Sequence, residues 1–241
     1  MAKNKTVVVI GAGLGGLSSA IALAQQGYKV KLYEKNAHLG GKLNKLEQDG
    51  FSFDLGPSIL TMPQIFQKLF TDSQLKMEDY VPIQRLELEW RSFFPDGSVI
   101  DLYGDLDVMA EKNPDLAQKH INEYQRFLNY AKGLYEMTEK GYFAKGLDTT
   151  IDIFRQHGII SSIRDFDYFT TFYDAIAKHV THQNLRDMLG YFIKYVGSSP
   201  YDAPAILNMM IYMQHQQGLW YVPGGLYRLA EGLEELAHIA G

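Results

Sequence analysis

The chain has no cysteine among its 241 residues, and this absence excludes disulfides, thiolate metal sites and thiol nucleophiles. Redox work in such a protein needs a borrowed cofactor. Long apolar runs are missing as well: roughly 18 or more consecutive apolar residues are needed to span a bilayer, and no stretch reaches that length. An excess of positive charge is also absent. Lysine and arginine total 23 against 28 acidic residues, the net charge is −5 and no basic run occurs, so the footprint of a nucleic-acid binder is lacking. Met1 to Thr6 is too short and polar for a signal peptide. What the chain does have is 46% hydrophobic residues, enough for one large domain or two small ones.

Val7-Val8-Val9-Ile10 is a β-branched run of the kind expected in a parallel strand covered on both faces, and glycine-rich sequence follows at once. Leu14 to Gln26 carries Leu14, Leu17, Ile21 and Ala24 on a helical stripe that ends before Gly27, a C′ residue. Lys29 to Glu34 alternates Val30 and Leu32 with polar neighbours, the period of a strand. Strand, tight turn, helix and strand in this order form a right-handed βαβ unit.

Beyond it, Gly50 to Pro63 reads as loop, with Gly56-Pro57 and Pro63 as breakers. Pro95-Asp96-Gly97 predicts a hairpin turn joining Arg91–Phe94 to Val99–Tyr103. Helix then dominates. Pro114 is expected to open a long helix with Ile121, Tyr124, Leu128, Ala131 and Tyr135 on one stripe. Further helices are expected at about 166–180, 184–196 and 203–217, and a last one from Leu226 to Ala240 with Leu226, Leu229, Leu233 and Leu236 on one face. No internal repeat is present. The pattern is a nucleotide-binding layer interrupted by a helical insertion, to which the last helix returns. No further strand follows, so the chain reads as a truncated protein.

Gly11-Ala12-Gly13-Leu14-Gly15-Gly16 matches G-x-G-x-x-G. Gly11 allows the sharp turn, Gly13 lets backbone approach a pyrophosphate, and Gly16 lets the helix lie close to the strand. The motif alone is weak; its place between an apolar strand and a helix, with Glu34 at the end of the next strand to accept from ribose hydroxyls, raises it to a dinucleotide site. Gly40-Gly41-Lys42 and Asp54-Leu55-Gly56-Pro57 add two more close-approach loops, which favours the longer FAD over NAD. The blander readings are a solvated lysine for Lys42 and a plain turn for Gly56-Pro57. His179 and His182 lack further ligand spacing and read as a solvated helical face, so no metal site is expected.

These motifs, together with the segments 49–63, 91–103, 190–210 and 218–237, resemble the FAD-dependent carotenoid desaturase and oxidase family of the phytoene desaturase type, and within it the diapocarotenoid branch. The resemblance runs over essentially the whole chain. It implies an α/β fold: a Rossmann-like FAD-binding βαβ layer with a mostly helical α+β substrate-domain insertion, an amine-oxidase-like flavoprotein, here truncated. The expected divisions are 1–80 for the FAD-binding part, 81–218 for the substrate-domain insertion and 219–241 for the return helix. The cofactor residues it implies are Gly11, Ala12, Gly13, Leu14, Gly15, Gly16, Glu34, Lys35, Gly40, Gly41, Lys42, Gly56, Pro57 and Ser58. Family members usually carry arginine where Lys42 stands, so a point charge replaces a fork.

The resemblance implies oxidation of a C30 diapocarotenoid, either oxygenation of a terminal methyl group or desaturation. Flavin would carry the reactive centre, so catalytic side chains are left unassigned. An apolar substrate is held by burial. Tyr191, Tyr195, Met209, Met213 and Trp220 are the candidates for contacting it, against the commoner reading of such stripes as core. Phe166 to Tyr173 is weighed the same way, as peripheral membrane contact against core packing. A cytoplasmic protein peripherally attached to the membrane is expected, with no nucleic-acid partner. The rival of another class is a non-enzymatic prenyl-lipid carrier of the GDP-dissociation-inhibitor type.

Overall fold

The computed structural model describes residues 5–139, 167 and 169–241. In chain order its elements are β1 (Thr6–Ile10), α1 (Leu14–Gln25), β2 (Lys29–Tyr33), β3 (Lys45–Gln48), β4 (Phe51–Asp54), α2 (Pro63–Asp72), β5 (Gln84–Arg85), β6 (Leu88–Phe93), β7 (Val99–Tyr103), α3 (Leu106–Lys112), α4 (Gln118–Thr138), α5 (Phe172–His179), α6 (Gln183–Gly190), α7 (Met209–Gln217), β8 (Trp220–Tyr221) and α8 (Tyr227–Ala240). Short 3-10 turns lie at Met77–Asp79, Tyr191–Tyr195 and Ala205–Asn208. The chain divides into two compact units, Met1–Leu86 with Leu219–Gly241, and Glu87–Gly218.

In the first unit β1 and β2 pair in parallel, Val7 opposite Val30 and Val9 opposite Leu32, with α1 as the crossover. Gly27 has φ +82°, and it and Tyr28 return N–H bonds to Ala24 and Leu23, which stops α1 where expected. Leu17, Ala20 and Ile21 turn inward from α1. Leu17 and Ile21 join Leu43, Leu60, Phe70, Val81, Val222, Leu229, Leu233 and Leu236 in one buried cluster, so α8 supplies much of this core. Gln25 Nε2 donates to the Leu69 carbonyl at 2.7 Å and to Ser73 Oγ at 2.8 Å, tying α1 to the end of α2.

Three expectations fail in this unit. The β1 run was expected to be covered on both faces, but it alternates: Val8 is 54% and Ile10 87% exposed. Gly50 to Pro63 is not all loop, because β3 and β4 form an antiparallel hairpin across Asp49-Gly50, whose φ values of +52° and +82° suit a tight primed turn. Pro63 does not break the chain but starts α2 from the first turn, where its missing N–H costs nothing.

In the second unit β6 and β7 form the predicted hairpin, with Gly97 at φ +82° and Phe93 opposite Val99. The buried Asn113 secures it: its Oδ1 accepts from Asp101 N–H at 2.7 Å, and its Nδ2 donates to the Asp101 and Met109 carbonyls. Ile121, Tyr124, Leu128 and Ala131 are buried along α4 as expected, with Phe127 among them, while Tyr135 is half-buried. Pro114 does not open that helix. It sits inside a turn closed by Leu116 N–H to the Asn113 carbonyl, and α4 begins at Gln118. The regions expected at 184–196 and 203–217 each combine a 3-10 turn with an α-helix. The start of the 166–180 helix falls outside the described residues, and α5 covers its end. Among the described residues no helix is long and apolar enough to cross a membrane.

Candidate dinucleotide site

Chain direction changes at the end of β1 through Gly11, whose φ of +95° is open to glycine at little cost. Its N–H reaches the Tyr33 carbonyl at 2.7 Å, extending the β1–β2 ladder by one bond. The loop then feeds α1 with Gly13 as the N-terminal flanking residue. No side chain caps that terminus and its first turn holds no acidic residue, so the leading N–H groups and the positive end of the helix dipole face outward. A Cβ on Gly16 would overlap the Gly11 carbonyl oxygen, so only glycine lets α1 approach the turn this closely.

The second glycine motif lies directly against the first. Gly40 N–H donates to the Ala12 carbonyl at 2.8 Å, and Gly13 and Gly40 form a parallel bridge. Gly41 has φ +63°, and a Cβ there would stand 3.1 Å from the Gly13 Cα. Two motifs that are 24 or more residues apart in sequence therefore form one backbone surface. That count is from Gly16 to Gly40. The Asp54 carboxylate accepts from Leu226 N–H at 3.2 Å beside the start of α8. Gly56 is fixed by contact too, since a Cβ would overlap the Lys42 carbonyl.

Glu34 stands at the end of β2, as the βαβ geometry requires. Its Oε2 accepts from Ala12 N–H at 2.7 Å, and its Oε1 accepts from the Asn36 N–H at 2.9 Å and Nδ2 at 3.0 Å. The Ala12 bond first, then those of Asn36, hold its carboxyl below the usual carboxylate range. A carboxylate offers about four acceptor positions, so one remains on Oε2. Lys35, Lys42, Pro57 and Ser58 are exposed around this region, and Lys42 enters no ion pair among the described residues. A hollow of about 360 Å³ between α1, β2 and α8 touches Glu34, but no glycine of the loop lines it and its other walls include Leu17, Val30, Leu32 and Leu39.

The residues expected at the substrate divide between the units. Tyr191 and Tyr195 share one 3-10 turn, and Tyr195 Oη donates to Gln214 Oε1 at 2.9 Å. Gln214 belongs to α7, which also carries Met209 and Met213; the Met209 sulfur accepts from Thr138 Oγ1 at 2.9 Å. These four therefore gather in the second unit. Trp220 belongs to the first, where β8 pairs with β5 and Trp220 exchanges backbone bonds with Leu60.

His179 and His182 are not a solvated face. The His179 ring lies 4.8 Å from that of Tyr130 and 6.0 Å from Phe127, and His182 Nδ1 caps α6 by accepting from Leu185 N–H. The His182 ring also lies 4.8 Å from that of His120, so both rings have tertiary contacts that spacing along the chain cannot reveal. Among the described residues no cluster suited to a metal occurs. In the segment weighed for membrane contact, Phe172 is fully buried and Phe169 is 98% exposed, while Phe166 and Tyr168 lie outside the described residues. No motif marks Lys194, whose Nζ lies over the Trp90 ring, because a single lysine between aromatic residues carries no period or spacing signal.

Residues 9–72 match the family described as NAD(P)-binding Rossmann-like domain. The chain is 57% identical over 234 residues to 4,4′-diaponeurosporene oxygenase of Staphylococcus haemolyticus, covering 97% of this chain and 47% of that protein. The chain thus spans about half the length of the curated relatives it matches. Among solved structures, putrescine oxidase shares the fold at a TM-score of 0.63 and 16% identity over 97% of this chain and 49% of its own. A Rab GDI from Plasmodium falciparum does so at 0.57 and 16%, over all of this chain and 57% of its own. The fold is therefore one shared with putrescine oxidase and a Rab GDI, with a Rossmann-like domain at residues 9–72.

Proposed function

We propose, from 57% identity to a 4,4′-diaponeurosporene oxygenase over about half of that protein's length, an FAD-dependent oxidoreductase that oxidises the terminal methyl group of a C30 diapocarotenoid. The observation that carries the cofactor is the single backbone surface made by Gly13, Gly40 and Gly41 in front of the uncapped start of α1. It fits a pyrophosphate: there is no Cβ to fill the space, and unpaired N–H groups face it. Glu34, ionised at neutral pH, has one acceptor position left for a ribose hydroxyl. Gly11 to Gly16 hold the diphosphate side, while Lys35, Lys42, Gly56, Pro57 and Ser58 line the route away from the ADP half. Lys42 contributes a point charge to a phosphate without forked geometry.

FAD, when bound, supplies the acceptor for a hydride from carbon. The chain's own part is to hold and orient. The unit Met1–Leu86 with Leu219–Gly241 is assigned to the cofactor and Glu87–Gly218 to the substrate. Tyr191, Tyr195, Met209 and Met213 present aromatic faces and polarisable thioethers to a polyene that offers almost no polar atom, so burial supplies the binding. Trp220 flanks the cofactor unit. Its uncharged substrate would reach the protein through peripheral contact with a membrane.

Incubating the full-length protein with FAD and a C30 diapocarotene tests this. Products heavier by oxygen support terminal oxidation, loss of hydrogen pairs alone replaces it with desaturation, and no product removes the reading. The Rab GDI likeness keeps a non-enzymatic lipid carrier as the rival from another class. Flavin absorbance in the purified protein separates them, since a carrier without flavin chemistry has no use for the loop.

A further inference from the structure

Lys194 has no role in the oxidation proposed above, although its neighbours Tyr191 and Tyr195 are assigned there to the substrate. Lys194 stands on the 3-10 turn Tyr191–Tyr195, and its Nζ lies 3.0 Å from the centre of the Trp90 ring, 4.3 Å from Tyr191 and 5.1 Å from Tyr195. Trp90 comes from β6, about a hundred residues earlier, so the cage is a product of the fold and not of local sequence. Among the described residues Lys194 forms no ion pair.

Three ring faces attract an ammonium, but they cannot replace the water that solvates its three N–H donors. Burial accordingly pushes the amine down from the ordinary 10.5 to about 8. A surface lysine is almost wholly protonated at neutral pH, whereas this amine has a roughly three-hundredfold larger fraction with a free lone pair. The side chain is only half-buried, so a reagent can reach it. A hollow of about 430 Å³ opens beside it, walled by Tyr173, Tyr191, Ile193, Pro200 and Tyr201. The rings of Tyr173 and Tyr201 lie 4.9 Å apart and give it a flat aromatic side. Asp187, which accepts from Tyr173 Oη at 2.8 Å, also borders it.

We propose that Lys194 is an aldehyde-capturing amine, whose Nζ adds to the terminal carbonyl of an apolar conjugated chain lying along the ring-walled hollow. The lone pair on nitrogen forms the C–N bond as the carbonyl π pair moves to oxygen. That oxygen then leaves as water with both hydrogens of the neutral amine, and a C=N bond remains. Nothing is oxidised or reduced, and addition of water reverses the step. The choice of an aldehyde rests on the oxidation proposed above, since a terminal carbon taken to that level carries this carbonyl. The reactivity of the amine does not rest on it.

The test treats the purified chain with cinnamaldehyde and, separately, with glyceraldehyde, each trapped by cyanoborohydride and mapped by peptide mass spectrometry. The expected result is a cinnamyl adduct at Lys194 exceeding that at any other lysine by about tenfold, rising with pH through about 8, and much weaker with glyceraldehyde. Lys194→Arg keeps a cation over the rings and should remove the adduct with an unchanged circular dichroism spectrum. Adducts spread evenly over surface lysines, equal labelling by the two aldehydes, or undiminished labelling of Lys194→Arg would each overturn the proposal. No flavin or carotenoid enters the assay, so its failure leaves the oxidation standing, and failure of the oxidation does not alter the labelling.

Discussion

In the first unit the groups proposed to meet the cofactor are main-chain N–H donors at the start of α1, and the side chains nearby are mostly hydrogen atoms of glycine. In the second unit the notable groups are side chains: Trp90, Tyr191 and Tyr195 about Lys194, and Tyr195 on Gln214. Backbone geometry tolerates no added atom but is indifferent to polarity, whereas a side-chain cluster tolerates small shifts but depends on the identity of each member. The two regions should therefore fail differently when altered.

The largest effect should come from the second core. Phe127 is fully buried, and Phe127→Ala should cost about 3–5 kcal/mol in urea unfolding. Flavin retention measured in native conditions should hold; release of flavin by this variant would break the division of labour. Gly16→Ala is next, at about 1–3 kcal/mol, because the added methyl meets a backbone carbonyl that cannot turn away. Unlike Phe127→Ala, it should abolish flavin retention, read by absorbance after gel filtration. Glu34→Ala removes the acceptor of the Ala12 and Asn36 bonds, so it should lower the urea midpoint modestly and weaken flavin binding about tenfold in a fluorescence titration. Undiminished affinity would remove the ribose role.

The smallest effect should be electrostatic. Arg91 Nε and Nη2 each reach an Asp101 carboxylate oxygen at 2.7 Å, and this pairing holds the Asp101 carboxyl below its ordinary 3.8. A group with a lowered folded value lends stability above its unfolded value and loses it as pH falls through the folded one. The urea midpoint should thus decline below about pH 4, and Asp101→Asn should flatten that part of the profile. An equally steep decline in the variant would assign the acid sensitivity to other carboxylates.

The first unit was largely legible because its signals are local. A β-branched run, glycines at fixed offsets and a carboxylate at the next strand end need no tertiary knowledge to interpret, and Gly11 to Glu34 lie as expected. The Pro95-Asp96-Gly97 hairpin was legible for the same reason. Proline misled twice, since Pro63 begins a helix and Pro114 closes a turn: its fixed φ suits both, and the neighbours decide. Asp49-Gly50 carried a hairpin signal that the flanking Gly56-Pro57 obscured. Lys194 and the histidine contacts were invisible because their partners, Trp90, Tyr130 and His120, come from distant elements.

The first unit is made of two stretches of chain, and this sets a timetable during synthesis. Leu17 and Ile21 emerge early, yet the buried partners they need on α8, Leu229 and Leu233, are added only after residues 87–218. At roughly 5–20 residues per second that wait is on the order of 10 s, long enough for the second unit to close first. Chaperones that bind apolar segments should therefore meet this chain through its N-terminal βαβ stretch.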